Sequence, residues 1–340
     1  MRRLKAIDLF AGCGGLTLGL KRAGFRVVGA VEIDKTAADT YAKNHPEVRL
    51  WTDDIKKITT AEVRRKLNLK AGQLDLLAGC PPCQGFSSMR RLNGGRIVRD
   101  RKNALILDFL RMVRGLCPKA VMLENVPHLA HSRRFARFCR QLRQLGYNVD
   151  YAVLDAADYG VPQRRRRVIC FGLRSGEVDF ASPSRGDKTV VDAIGHLPLP
   201  RRSHDPIHNV AEHRSKQVRD MIRRIPKNGG SRSDLGAKAQ LRCHRDCDGF
   251  KDVYGRMAWR SIAPTITTGC FNPSKGRFLH PSQNRCITMR EAALLQTFPR
   301  RYYFPADAGK VKLAVLIGNA LPPEFIRRHA VQLKKSLTRR

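Results

Sequence analysis

Acidic residues and long apolar segments are scarce in this sequence. Only 29 Asp and Glu stand against 65 Lys and Arg, which gives a formal net charge of +36. No apolar run is long enough to cross a bilayer, and Met1 to Phe10 lacks the apolar core of a signal peptide. These absences predict a cytoplasmic protein that is not membrane-bound. The shortage of acids favours a polyanionic partner, above all the phosphate backbone of nucleic acid.

Metal-binding patterns and internal repeats are also missing. Cys80-Pro81-Pro82-Cys83 has the CxxC form of redox and zinc sites, and Cys243 with Cys247 could hold part of a metal. Neither pair has a second ligand pair at the usual spacing, so we predict no metal site. Because the ten cysteines come without an export signal, we expect mostly reduced, buried thiols. A redox role for the CxxC pair stays an alternative.

Strand-like and helix-like segments alternate through the first half of the chain. Apolar runs predict strands at 6–10, 25–31, 74–78, 120–123, 147–153 and 168–173. Helical periodicity lies between them, from about Leu16, over 36–43 and over 103–116. This alternation predicts an α/β fold with a mainly parallel, doubly wound, Rossmann-like sheet.

The alternating pattern breaks at about Gly176. From there to about Gly255 the chain is rich in Pro, Gly, Ser, His and Arg, with little periodicity. Helical signals return with a capping box from Thr288 to Glu291 and with Pro322-Pro323 ahead of a last helix. We therefore predict three parts: 1–175, a smaller irregular domain at 176–285, and a segment at 286–340 that returns to the first domain.

A glycine-rich turn follows the first predicted strand. Ala11 to Gly15 opens a helix there, and glycines let the backbone approach a ligand closely. Thr17 stands where a dinucleotide fingerprint has its third glycine, so the NAD pattern is incomplete. Glu32, at the end of the second strand, is an acid that suits ribose hydroxyls. By itself the turn is compatible with a nucleotide-type ligand or with a plain tight turn.

Taken together, the motifs resemble those of the cytosine-5 DNA methyltransferases. In the family's order they are Asp8-Leu9-Phe10-Ala11-Gly12-Cys13-Gly14-Gly15, Pro82-Cys83-Gln84, Glu124-Asn125-Val126 and Gln163-Arg164-Arg165-Arg166-Arg167. Three weaker matches are 100–105, where Lys102 replaces the usual arginine, 290–299 and 318–320. The resemblance spans Asp8 to Pro323, and its unmatched part, 176–255, lies where the family keeps its variable target-recognition region. It implies a class I methyltransferase fold.

For the cofactor, the resemblance implies S-adenosylmethionine at the glycine-rich turn of a catalytic domain at 1–175. In that family Phe10 would lie against the adenine and Glu32 would bond the ribose, while the 318–320 motif returns to the pocket. The implied cofactor residues are Phe10, Gly12, Gly14, Gly15, Glu32, Asp54, Ile55, Pro82, Leu105, Asn319 and Ala320.

For the chemistry, the resemblance implies a covalent mechanism through Cys83. Carbon 5 of cytosine is a poor nucleophile, and a thiolate that adds to carbon 6 turns the ring into an enamine. Glu124 would donate a proton at nitrogen 3. Arg165 and Arg167 would complete the site, with Arg167 nearest the cytosine carbonyl oxygen. If the segment is extended, Arg164 and Arg166 point to its other face.

Duplex DNA is the substrate that the resemblance implies, with the target base flipped out of the helix. The segment from Ser88 to Arg101 carries five arginines around Gly94-Gly95, which is typical of a loop that closes over DNA. The predicted DNA-binding residues are Gln84, Ser87, Arg90, Arg91 and Arg96. We expect a monomeric restriction-modification or orphan modification enzyme on the nucleoid, with any cognate restriction endonuclease acting separately.

Two further functions stay open beside a CxxC redox protein. A tRNA cytosine-5 methyltransferase of the same fold would carry similar motifs, although the separate recognition region and the high charge favour duplex DNA. A non-catalytic DNA-binding protein on the same scaffold would have no need for the intact set of Cys83, Glu124 and Arg167.

Overall fold

A computed structural model describes residues 3–82, 105–210, 212–236 and 252–339. The chain divides into two compact units. The sheet unit comprises Met1–Tyr159, Arg166–Pro183 and Leu321–Arg340, and the loop unit comprises Gly160–Arg165 and Ser184–Ala320. Residues 286–320 thus pack within the loop unit and residues 321–340 within the sheet unit. The division by function at 1–175, 176–285 and 286–340 stays a prediction.

Seven strands in the described part of the sheet unit form a single sheet. They are β1 Lys5–Leu9, β2 Arg26–Val31, β3 Arg49–Trp51, β4 Leu76–Gly79, β5 Ala120–Asn125, β6 Asn148–Asp155 and β7 Arg166–Leu173. The order is β3-β2-β1-β4-β5-β7-β6. Only β7 runs antiparallel to its neighbours, and the other pairs are parallel. The predicted mainly parallel, doubly wound α/β sheet is confirmed.

The helices in chain order are α1 Gly15–Arg22, α2 Lys35–Asn44, α3 Thr60–Leu67, α4 Leu105–Leu116, α5 Arg133–Gln144, α6 Val190–Ile194, α7 Lys216–Arg224, α8 Met289–Leu295, α9 Gly309–Asn319 and α10 Pro323–Thr338. On one face of the sheet α4 and α5 meet through Phe109 and Phe138, whose ring centroids are 6.0 Å apart. Elsewhere α1 packs on α10, where a Cβ at Gly19 would lie 2.5 Å from that of Ile326. No helix in the described ranges is long and apolar enough to span a membrane.

The described residues of the loop unit contain little regular structure apart from α6 to α9. Helix α7 corrects the expectation of little periodicity between 176 and 255, since its inner face buries Met221 and Ile222. The predicted capping box is present at the start of α8. Thr288 Oγ1 accepts from Glu291 N at 3.2 Å, and Thr288 N donates to Glu291 Oε2 at 2.7 Å.

Candidate active site

The turn between β1 and α1 has the backbone geometry that its glycines allow. Phe10, Gly12 and Gly14 have φ values of 63°, 55° and 95°, and the buried Gly15 begins α1. Gly12 N donates to Glu32 Oε2 at 2.7 Å. The other oxygen of the Glu32 carboxylate accepts, at 2.8 Å, from the backbone N–H of the residue two positions after Glu32. A Cβ at Gly12 would meet nothing within 4 Å, so open space lies beside the turn.

Two acids flank this turn in surroundings that disfavour their charge. Asp8 at the end of β1 is fully buried and accepts from Thr17 Oγ1 at 2.7 Å, while Thr17 also bonds the Tyr41 hydroxyl at 2.8 Å. Burial raises the pKa of Asp8 to about 7 and also raises the pKa of Glu32. Acids of this kind can bond hydroxyl or amine donors of a ligand. Thr17 stands where a dinucleotide fingerprint has its third glycine, and its hydroxyl orients the Asp8 carboxyl group. Sequence reasoning missed this role.

The other predicted cofactor residues of the sheet unit lie on its loops or at the start of a helix. Asp54 is half-buried and Ile55 is buried, in a turn whose Ile55 carbonyl accepts from Arg111 Nη2 of α4 at 2.6 Å. Leu105 begins α4 and is half-buried, whereas Pro82 is exposed. The turn at Gly12, the acid at Glu32 and the anchored turn at Asp54 suit a ligand with ribose hydroxyls and a flat base.

Cys80, Pro81 and Pro82 lie at the carboxyl edge of the sheet. Cys80 N donates to the Leu9 carbonyl at 3.2 Å, and Asn125 Nδ2 donates to the Pro81 carbonyl at 2.8 Å. Burial, together with the nearby carboxylates of Glu124 and Asp8, raises the pKa of the Cys80 thiol well above its usual range. A thiol of this kind stays protonated and unreactive. Outside the described residues lie the predicted nucleophile and DNA-binding residues: Cys83, Gln84, Ser87, Arg90, Arg91 and Arg96.

An ion pair joins Glu124 to Arg167 at the same edge. Arg167 Nε lies 2.9 Å from Glu124 Oε1, and the two side chains are only 16% and 7% exposed. The reversed direction of β7 explains the contact, because it brings the first residues of β7 beside the last residues of β5. Arg164 and Arg166 are exposed, as expected when side chains alternate between the two faces of an extended segment.

Arg165 lies in the loop unit and is almost fully buried. Its guanidinium donates to the Ile266 carbonyl at 3.1 Å and to the Gly318 carbonyl at 3.0 Å. Beside it, Gln163 Nε2 donates to Gln296 Oε1 at 2.9 Å. These bonds give Arg165 a positioning role within its unit. A contact between Arg165 and the substrate stays a prediction.

Two predicted cofactor residues also belong to the loop unit. Asn319 is exposed at the end of α9, and the half-buried Ala320 follows it, with its N–H on the Ile317 carbonyl at 3.3 Å. The same unit holds a cavity of about 210 Å³, and none of the predicted catalytic or cofactor residues that the structure describes lines it. Among the described residues, no three His, Cys, Asp or Glu side chains group as metal ligands.

Comparison with known proteins gives one consistent family. The model for C-5 cytosine-specific DNA methylases matches residues 4–335. The chain is 36% identical to the Type II methylase M.HgiDII of Herpetosiphon aurantiacus, over 97% of this chain and 95% of that protein. It is 35% identical to the Type II methyltransferase M1.HphI of Haemophilus parahaemolyticus, over 94% of this chain and 84% of that protein.

A solved structure is similar over the same extent. It is described as a DNA modification methyltransferase encoded within an E. coli prophage, and it superposes with a TM-score of 0.72 at 26% identity. The similarity covers 99% of this chain and 100% of the other.

Proposed function

The chain belongs to the C-5 cytosine-specific DNA methylase family, and we propose that it methylates a cytosine within a specific duplex sequence through a covalent bond from Cys83. DNA is the substrate of this family, and S-adenosylmethionine is its methyl donor. The observation that carries the proposal is the ion pair of Glu124 and Arg167, beside the segment from Cys80 to Pro82 that leads to Cys83.

The glycine-rich turn fits S-adenosylmethionine, which supplies an electrophilic methyl group when bound. We assign Glu32 to the ribose hydroxyls, because its carboxylate is already fixed by two backbone N–H groups and keeps lone pairs free. Phe10 and the turn at Asp54 would hold the adenine. Asp8 supports the turn through Thr17.

In the proposed reaction, Cys83 and Glu124 act on the cytosine ring. The Cys83 thiolate adds to carbon 6 while Glu124 donates a proton to nitrogen 3, so that carbon 5 becomes electron-rich. After carbon 5 is methylated, water removes the carbon-5 proton and nitrogen 3 returns its proton to Glu124. The double bond between carbons 5 and 6 is thereby restored, and the Cys83 sulfur leaves as thiolate. Arg167 holds the Glu124 carboxyl group in place. Cys80 is unsuited to the nucleophilic role because its pKa is raised.

The finer features of the function rest on the same family membership. The target base would be flipped out, at a cost of roughly a few kcal/mol, and residues 176–255 would read the surrounding sequence. We further propose a monomer that acts on cytoplasmic, nucleoid DNA as a restriction-modification or orphan modification enzyme. Similarity to two relatives named as Type II enzymes supports this role.

Bisulfite sequencing of DNA from cells that express the protein tests the proposal. We expect protected cytosines in one short sequence context with the parent and none with Cys83→Ala, which should still bind S-adenosylmethionine. Methylation by both proteins, or by neither, would contradict the proposal. Methyl transfer to tRNA but not to duplex DNA, assayed in parallel, would replace DNA by RNA as the substrate.

A further inference from the structure

Helix α5 carries a row of arginines on its outer face. Its twelve residues, RRFARFCRQLRQ, include five arginines and no acid. Phe135, Phe138, Cys139 and Leu142 are buried on the inner face. Directly opposite them, at a helical spacing of four and then three residues, stand the exposed Arg133, Arg137 and Arg140, here called the arginine stripe.

The arginine stripe has no ionic partner among the described residues. Elsewhere, helix arginines are paired with acids three residues earlier: Arg111 with Asp108 at 3.5 Å, Arg223 with Asp220 at 3.1 Å and Arg327 with Glu324 at 2.6 Å. In the described ranges, no hydrogen bond or ion pair involves the stripe side chains. Helix α5 differs from these three helices because it contains no acid that could pair with its arginines.

The charges of α5 disfavour the helix that carries them. Like charges three or four residues apart each destabilise a helix by about 0.2–0.5 kcal/mol. Arg133 and Arg134 also occupy the first turn, at the positive end of the helix dipole, and no acid stands there. A bound polyanion would relieve both effects. Residues that destabilise their own helix, with no stabilising contact elsewhere in the protein, are expected at functional sites.

The position and spacing of the stripe suit duplex DNA. Helix α5 follows β5 through a single 3-10 turn, Pro127–His131, so it begins at the edge of the sheet where Glu124 lies. Arg133 and Arg140 are about 10 Å apart along the helix axis. A DNA strand presents a phosphate about every 3.4 Å along the duplex, so the stripe spans about three phosphates. The outer face has no large apolar residue for a membrane.

We propose that the arginine stripe binds the phosphate backbone of duplex DNA flanking the target site, independently of sequence. This inference rests on the proposed function for the choice of DNA. It extends that function, because it gives the sheet unit a contact with DNA of its own, in addition to any contact made by the predicted recognition region. Stripe residues lie outside the catalytic and cofactor sets, so they would contribute to DNA affinity and leave methyl transfer itself unchanged.

The test compares two full-length variants that lose the same charge. The stripe variant is Arg133→Gln/Arg137→Gln/Arg140→Gln, and the control is Arg65→Gln/Lys66→Gln/Lys70→Gln, three exposed cations of and beside α3. Binding to a long fluorescent duplex made only of A·T pairs is measured by anisotropy at increasing NaCl. We expect the stripe variant alone to flatten the plot of log affinity against log salt, by about 2 to 3 in slope.

Three results would overturn the inference: equal changes in both variants, an unchanged slope in the stripe variant, or a larger loss for a hairpin RNA than for the duplex. Turnover at saturating target DNA should equal that of the parent. The melting temperature of the stripe variant should not fall, because glutamine keeps helix propensity and removes like-charge repulsion. Absent methylation by the parent would instead contradict the proposed function, since the slopes are measured without methyl transfer.

Discussion

The two units of this protein differ in the ionisable groups that they bury. At the carboxyl edge of the sheet unit, Asp8 and Glu124 are buried and Glu32 is half-buried, and Arg167 pairs with Glu124. In the loop unit the buried ionisable groups include arginines, among them Arg165 and Arg256. The acids stand at or near strand ends, beside the open turn at Gly12 or the segment from Cys80 to Pro82, whereas both arginines donate to backbone carbonyls.

The difference follows from how each unit satisfies its backbone. In the sheet unit, strand ladders pair the buried carbonyls, which leaves side chains at the strand ends for chemistry. The described part of the loop unit has few strand ladders, and its buried carbonyls still need donors. Arg256, fully buried, supplies them to the carbonyls of Ile222, Ile225, His280 and Gln283. We therefore propose that the acids of the sheet unit serve the reaction, whereas the buried arginines Arg165 and Arg256 hold loops of the loop unit together.

Loss of the proton-donating carboxyl group of Glu124 should have the largest effect on the reaction. We expect Glu124→Gln to lower single-turnover methylation by about 10²- to 10⁴-fold, because it removes a general acid. Binding of S-adenosylmethionine should be unchanged, and the exposed Glu177→Gln serves as the matched control. Parental rates in Glu124→Gln would mean that this acid is only a structural partner of Arg167.

Removal of Arg256 should damage the loop unit and spare the sheet unit. Arg256→Met leaves four carbonyls without their donor, which should destabilise the loop unit by at least about 3 kcal/mol. Hydrogen exchange read separately in the two units measures this, with the exposed Arg260→Met as control. Equal loss of protection in both units would show that the loop unit does not depend on Arg256 more than the sheet unit does.

Glu32 separates cofactor binding from folding. Glu32→Gln removes the charge from a carboxylate assigned to the ribose and should weaken binding of S-adenosylmethionine by about 1.5–3 kcal/mol, or roughly 10- to 150-fold. Calorimetry would measure the change. The exposed Asp53→Asn on the neighbouring loop should bind as the parent does. A folded Glu32→Gln protein with parental affinity would remove Glu32 from the cofactor site.

The smallest effect concerns acid sensitivity within the sheet unit. Burial lowers the pKa of His329 to about 4, among the rings of Tyr159 and Phe325. Its pKa is higher in the unfolded chain, so the stability tied to its neutral form is present above pH 6.5 and is lost as the pH falls toward 4. Between pH 7 and pH 5 the melting temperature of His329→Phe should therefore fall about 2–4 °C less than that of the parent. Equal falls would contradict this.

Apolar runs predicted the sheet well because its central strands are buried on both faces. The predicted strand from Ala6 to Phe10 corresponds to β1, and the run at 120–123 to the start of β5. Helix α5 was missed although Phe135, Phe138 and Leu142 have helical spacing, because its arginines dominate the segment. The three-residue strand β3 is too short for a periodic signal.

The candidate site was less accessible to sequence reasoning than the fold. Motif resemblance indicated Glu124 and Arg167, but their direct contact depends on the reversal of β7, which local patterns do not contain. The support of Asp8 by Thr17 arises from a bond between strand and helix that no motif specified. The resemblance implied a place beside the substrate for Arg165. In the structure, its guanidinium donates hydrogen bonds to two backbone carbonyls of the loop unit.

The central claim is that the acidic edge of the sheet unit serves a covalent reaction through Cys83. The direct measurement is mass spectrometry of the adduct formed with duplex DNA that carries 5-fluorocytosine at the methylated position, in the presence of S-adenosylmethionine. We predict a trapped complex whose modified peptide contains the cytosine on Cys83, retained in Cys80→Ala and absent in Cys83→Ala. An adduct on Cys80, or one that persists in Cys83→Ala, would contradict the account.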